Sequence, residues 1–147
     1  MKRIILIMLC SIAILQTSFA DNDVVTTDTN RLPAHSRQFI RQHFQGVDIS
    51  HIKIESTLFG IKSYDVILTN GFDLEFDKQG QWTEVDGQRS PVPAKIIPAP
   101  VSDYQKKHFP QQQVISIEKD AKGYDVKLSN GLEMKFDLKF NFVRYDD

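Results

Sequence analysis

The sequence predicts an α+β fold: a helix followed by a four-stranded antiparallel meander, and then the same unit again as a tandem repeat. Three observations predict it. Tyr64-Asp65-Val66-Ile67-Leu68-Thr69-Asn70-Gly71-Phe72-Asp73-Leu74-Glu75-Phe76-Asp77 is echoed by Tyr124-Asp125-Val126-Lys127-Leu128-Ser129-Asn130-Gly131-Leu132-Glu133-Met134-Lys135-Phe136-Asp137. Each copy is two alternating apolar and polar runs joined by Asn-Gly, the strongest short-range signal for a hairpin. Upstream of each copy, apolar residues recur at helical spacing and end in His-Phe, at His43-Phe44 and His108-Phe109.

The elements follow in chain order. Lys2 and Arg3, the apolar run Ile4 to Leu15, and Ser18-Phe19-Ala20 before Asp21 form the pattern of a secretory signal peptide over residues 1–20. Residues 21–31 are polar and turn-forming and are expected to be a flexible leader. The first unit is assigned to residues 32–88. Pro33 suits a first helical turn, and Phe39, Ile40, His43, Phe44 and Val47 mark the apolar stripe of a helix that Gly46 ends. Ile52 and Ile54 alternate with His51, Lys53 and Glu55 as a first strand. The Asn70-Gly71 hairpin supplies the second and third strands, and Trp82 to Asp86 the fourth.

The second unit is assigned to residues 89–147, and both units together to one compact domain. Pro98-Ala99-Pro100 restarts a helix through Val101, Tyr104, His108 and Phe109, which Pro110 stops. Val114 to Glu118 is a strand, the Asn130-Gly131 hairpin comes next, and Phe140, Phe142 and Tyr145 close the chain. A four-stranded sheet with one apolar face needs a cover, and the preceding helix supplies it.

Composition bounds the function. The 147 residues carry 18 basic and 19 acidic side chains, a net charge of −1, and losing Lys2 and Arg3 takes this to about −3. That balance argues against nucleic acid, and no basic run marks a membrane-surface helix, so no membrane contact is expected once the signal is cleaved. The single cysteine, Cys10, falls within the signal, so the exported chain has no disulfide, thiolate metal site or cysteine nucleophile. The destination is the periplasm or the exterior.

No constellation for catalysis emerges, and the expectation is a non-enzyme without a cofactor. His35, His43, His51 and His108 lack metal-ligand spacing. Asp73, Glu75 and Asp77 share a strand face, but the second copy has Glu133, Lys135 and Asp137 there, and solvated strands carry this alternation anyway. The serines lack a Gly-x-Ser-x-Gly setting, and the glycines stand singly at turns.

The sum of these residues resembles a known family. Pro33-Ala34, His43-Phe44, Tyr64-Asp65-Val66 with Leu68 and Asn70-Gly71, Phe76-Asp77, then Pro91-Val92-Pro93-Ala94-Lys95-Ile96-Ile97-Pro98 and a second copy resemble the PepSY-like family of exported, β-lactamase-inhibitor-like proteins common in Bacteroides-type bacteria. The resemblance spans Leu32 to Tyr145, with Phe44-Gln45 departing from the commoner Phe-Pro found at Phe109-Pro110. It implies one curved sheet with the helices on its convex side. The opposite face then becomes the candidate surface for an unknown protein or peptide partner. Alternation assigns Lys53, Asp65 and Thr69 to it from the first unit, and Lys127, Glu133 and Lys135 from the second. Trp82, Arg144 and Tyr145, near strand ends, are the anchor types that interface cores favour. The expected function is a protein- or peptide-binding module, of the kind that inhibits or regulates an envelope or secreted enzyme. The alternative is a structural envelope scaffold with no defined ligand.

Overall fold

The computed structural model describes residues 22–147, so the expected signal peptide lies outside the described residues. The chain runs β1 (Val24–Thr26), a 3-10 turn (Thr29–Arg31), α1 (Ala34–His43), β2 (Ile49–Thr57), β3 (Gly60–Leu68), β4 (Asp73–Asp77) and β5 (Trp82–Asp86). It continues through α2 (Ala99–His108), β6 (Val114–Lys119), β7 (Gly123–Leu128), β8 (Glu133–Asp137) and β9 (Phe142–Asp146). All nine strands form one antiparallel sheet in chain order.

This corrects the expected tandem repeat of helix-plus-four-strand units. The described chain is mostly β, with two α-helices beside one uninterrupted nine-stranded meander. No sheet closes at residue 88, because β5 pairs directly with β6 through Glu84–Glu118, Val85–Ile117 and Asp86–Ser116. The ninth strand, β1, comes from the stretch expected to be a flexible leader, and it pairs with β2 from Val24–Ile54 to Thr26–Ile52. The physical reason is the cost of free edges. Two separate four-stranded sheets would leave four rows of unpaired N–H and C=O groups, and joining β5 to β6 removes two of them. Alternation says which residues form strands, not which strands become neighbours.

Local chemistry accounts for the individual elements. Both helices begin after a proline, Pro33 and Pro98, and neither has a side-chain N-cap bond. Both end alike, the N–H of Phe44 donating to Ile40 O and that of Phe109 to Gln105 O. The Asn-Gly corners reverse the chain with Gly71 at φ 91° and Gly131 at φ 90°, a left-handed geometry that glycine adopts at little cost. The carboxamide oxygens of Asn70 and Asn130 accept the N–H two residues on, at 3.3 and 3.1 Å.

Register fixes the two faces of the sheet. One row crosses all nine strands: Thr26, Ile52, Val66, Leu74, Val85, Ile117, Val126, Met134 and Tyr145. Its members from Ile52 to Met134 are buried, and both helices pack on this side. Phe39 of α1 meets Phe76 edge-on at 5.7 Å, and Tyr104 of α2 meets Phe136 edge-on at 5.4 Å. Burying each such ring contributes about 1.5–3 kcal/mol by area transfer.

Candidate binding face

On the side away from the helices, a second row also crosses the whole sheet. Cross-strand pairing aligns Val25, Lys53, Asp65, Glu75, Glu84, Glu118, Asp125, Lys135 and Arg144. Five consecutive members, Asp65 to Asp125, are carboxylates directly opposite one another. The next row adds Asp73 opposite Asp86, then Ser116, Lys127 and Glu133. Like charges in direct opposition destabilise a sheet.

The flanks of this row are neutralised and its centre is not. Lys53 Nζ lies 2.8 Å from Glu55 and 3.1 Å from Asp23. At the other end Lys135 Nζ lies 2.6 Å from Asp125 and 3.5 Å from Asp146. Among the described residues Glu75, Glu84 and Glu118 make no ion pair. The consequences show in their acidity. Burial, then the charges of Glu118 and Glu75, pushes Glu84 up to about 7. Burial, then Glu55 and Glu75, pushes Asp65 up to about 6. Asp73 and Glu118 are raised as well, each by burial first and then by a neighbouring aspartate, Asp86 and Asp125 respectively. By contrast, hydrogen bonds from Lys53 and Lys62 pull Glu55 down to about 2. A shallow cavity of about 150 Å³ opens over the centre, lined by Glu84, Asp86, Ser116, Glu118, Asp125, Lys127 and Glu133.

The residues singled out from sequence divide into three groups. Lys53, Asp65, Lys135 and Arg144 stand in the central row, and Lys127 and Glu133 face each other in the row beside it. Thr69 lies past the end of β3, where its N–H donates to Asp48 O. Trp82 and Tyr145 are on the other face, and this is a correction. Trp82 pairs with Phe76 and stacks on Phe39 with centroids 6.4 Å apart. Tyr145 pairs with Met134, and its hydroxyl is hydrogen-bonded to that of Tyr104 at 2.7 Å.

The cause is a β-bulge in each strand. Register shifts between Glu75 and Phe76, so Thr83 is an extra residue, and likewise Val143 between Lys135 and Phe136. Strict alternation would put Trp82 with Glu84, and Tyr145 out of phase with Arg144 and Phe142. One inserted residue instead sends Trp82 and Phe142 to the helices while Glu84 and Arg144 stay outside.

Sequence reasoning missed Glu84, Asp86, Glu118 and Asp125 as members of the face. The local signal existed: Val85 and Ile117 are core residues, so their neighbours point away. What made these carboxylates a row was the pairing of β5 with β6, which leaves no local trace. Of the histidines, His51 stands on the open face, paired with Ile67 beside Asp73, while His43 and His108 pack on aromatic rings of the helix side. His43 packs on Phe39 at 4.7 Å and His108 on Tyr104 at 4.2 Å. Among the described residues no three His, Cys, Asp or Glu side chains converge as a metal centre.

The chain is a helix-backed antiparallel sheet with a polar open face, and comparisons with known proteins agree on its family. Residues 62–144 match the family described as "Putative beta-lactamase-inhibitor-like, PepSY-like", and the chain belongs to this PepSY-like family. Similar solved structures include a "putative periplasmic protein of unknown function" from Bacteroides vulgatus, 42% identical with a TM-score of 0.81 over 85% of this chain and 99% of that one. Another is a "putative calcium-regulated periplasmic protein" from Bacteroides thetaiotaomicron, 44% identical with a TM-score of 0.80 over 85% of this chain and 97% of that one. Among curated proteins the sequence has no match. The protein is periplasmic, as these relatives are.

Proposed function

We propose that this periplasmic protein is a non-catalytic binding module that receives a cationic segment of a protein or peptide on the open face of its sheet. One observation carries the reading: five carboxylates stand in consecutive cross-strand opposition from Asp65 to Asp125, and among the described residues the middle three make no ion pair. A lysine- or arginine-rich segment lying across β3 to β7 would relieve that repulsion and exclude water from the cavity over Glu84 and Glu118. Complementary fields of this kind set partner choice and association rate more than raw affinity. The inhibitor-like description of the family is consistent with a binding role that restrains an enzyme.

A second reading is favoured by the calcium-regulated description of the Bacteroides thetaiotaomicron structure. Calcium would then act on the same carboxylates, as a counter-ion competing with the cationic segment.

Titration of a lysine/arginine-rich decapeptide into isotopically labelled protein tests both. Saturable shifts confined to β3–β7, weakened several-fold by Glu84→Gln/Glu118→Gln and by raising salt, are expected. Binding left untouched by the double variant would remove the acidic row from the argument. Shifts of the same strands with millimolar calcium and none with peptide would favour the second reading.

A further inference from the structure

The corner between α1 and the start of β2 holds a cavity that the fold does not require. β1 leaves the sheet after Thr26–Ile52, so among the described residues the outer edge of β2 from Ile49 to His51 has no strand beside it. A cavity of about 290 Å³ opens there. Its apolar lining is Ile40, Val47 and Ile49, and Arg37, Arg41 and Asp48 stand beside them.

The corresponding corner beside α2 is closed. Val114 pairs with Leu128 as Ile49 pairs with Leu68. At that corner the chain after β5 stays alongside β6. The Gly87 N–H donates to Ile115 O at 2.8 Å and the Val92 N–H to Val114 O at 2.9 Å, and both Val92 and Ile96 are buried. Helix and strand can therefore be packed shut at this place in the sheet, and the α1–β2 corner is left open.

The charges at the opening are unmatched. Arg37 and Arg41 are one helical turn apart on α1, a spacing at which like charges repel. Among the described residues neither makes an ion pair, with Asp48 or with any other carboxylate. Arg37 Nε is shut off from water and has no acceptor, and Nη1 has a long contact of 3.5 Å to the Asn30 side-chain oxygen. A buried cationic donor without an acceptor costs free energy, which an anion bound beside it would offset. Two guanidiniums against the one carboxylate of Asp48 leave the lining net positive.

We propose that this cavity is a binding site for a small aliphatic monocarboxylate. The guanidinium fork matches a carboxylate, and Ile40, Val47 and Ile49 suit a hydrocarbon tail. The volume is that of about ten water molecules, so the ligand has on the order of ten non-hydrogen atoms. The site lies on the helix side of the sheet, apart from the carboxylate row on the open face, so either can fail without the other.

Calorimetric titration of octanoate into residues 21–147 tests the proposal. Saturable binding with a dissociation constant of about 1 mM or tighter is expected. Acetate lacks the tail and octan-1-ol lacks the charge, and each should bind at least about tenfold more weakly. Arg37→Gln/Arg41→Gln should lose about tenfold in octanoate affinity. The comparison of the three ligands needs the parent protein alone, so it decides the matter even if the double variant folds poorly. Amide shifts in labelled protein should gather on α1 and the start of β2. No saturation by about 10 mM octanoate overturns the proposal. So does equal binding of octan-1-ol, equal binding by a folded double variant, displacement of octanoate by an equal concentration of inorganic phosphate, or a set of shifts centred on β3–β7.

Discussion

Single residues show where this fold is intolerant. Phe136 is 3% exposed and is held by Tyr104 edge-on at 5.4 Å and Phe142 at 5.9 Å. Truncation to alanine leaves a ring-sized cavity and should cost about 3–5 kcal/mol. Phe136→Asp adds an unpaired buried charge to that loss and should unfold the protein at room temperature. Denaturant unfolding followed by circular dichroism checks both, and an aspartate variant with the parent midpoint would contradict the core described here. Four positions away, the half-buried Phe140 has φ 65°, a strained geometry for an aromatic residue, and packs on Tyr124 at 5.1 Å.

At the scale of the element, the bulges in β5 and β9 decide which side chains face a partner. Each adds one residue between two ladder pairs and changes the phase of the strand. Deleting Thr83 should restore plain alternation and force a choice. Either Trp82 leaves Phe39 for solvent, or Glu84 and Asp86 turn towards the helices. Both outcomes cost stability, because the first forfeits a stacked aromatic contact and the second buries carboxylates. The expected result is a red-shifted Trp82 emission together with a lowered melting temperature. Parent emission and parent stability in the deletion variant would show that the bulge does not set the phase. Trp82 is the only tryptophan, so the emission reports this one site.

Across the whole molecule, charge is segregated by face, and stability should follow pH accordingly. Glu84 titrates at about 7 in the fold against an ordinary 4.5, and Asp65 at about 6 against 3.8. A raised carboxylate favours the protonated fold. Its contribution is fully present below the unfolded value and is lost as pH rises through the folded one. Glu55 works in the opposite sense. Its pKa of about 2 contributes stability above 4.5 that disappears as pH falls towards 2. The melting temperature should therefore rise from pH 8 down to about pH 5 and then fall in stronger acid. Glu84→Gln/Glu118→Gln should raise it at pH 8 and flatten that limb, which a series of thermal melts would reveal. A parent protein whose melting temperature is constant from pH 8 to 5 would deny the repulsion along the row.

Much of this molecule was legible in single strands and turns. Tyr64, Val66, Leu74, Phe76 and their counterparts near residue 130 announced buried positions by alternation, and Asn70-Gly71 and Asn130-Gly131 announced reversals. These signals are local, because side-chain direction and turn geometry depend on residues close in the chain. The signs of Lys53, Asp65, Lys127, Glu133 and Lys135, and their place on the open face, were legible for the same reason, whereas Arg144 reaches that face only through the bulge at Val143. Tertiary structure alone decided that β1 joins the sheet, that β5 lies against β6, and that Trp82 and Tyr145 turn to the helices. Strand neighbours are chosen by edges seeking partners, and a bulge answers to the register of the strand beside it. That is why a row of carboxylates drawn from five strands is invisible along the chain and conspicuous across the sheet.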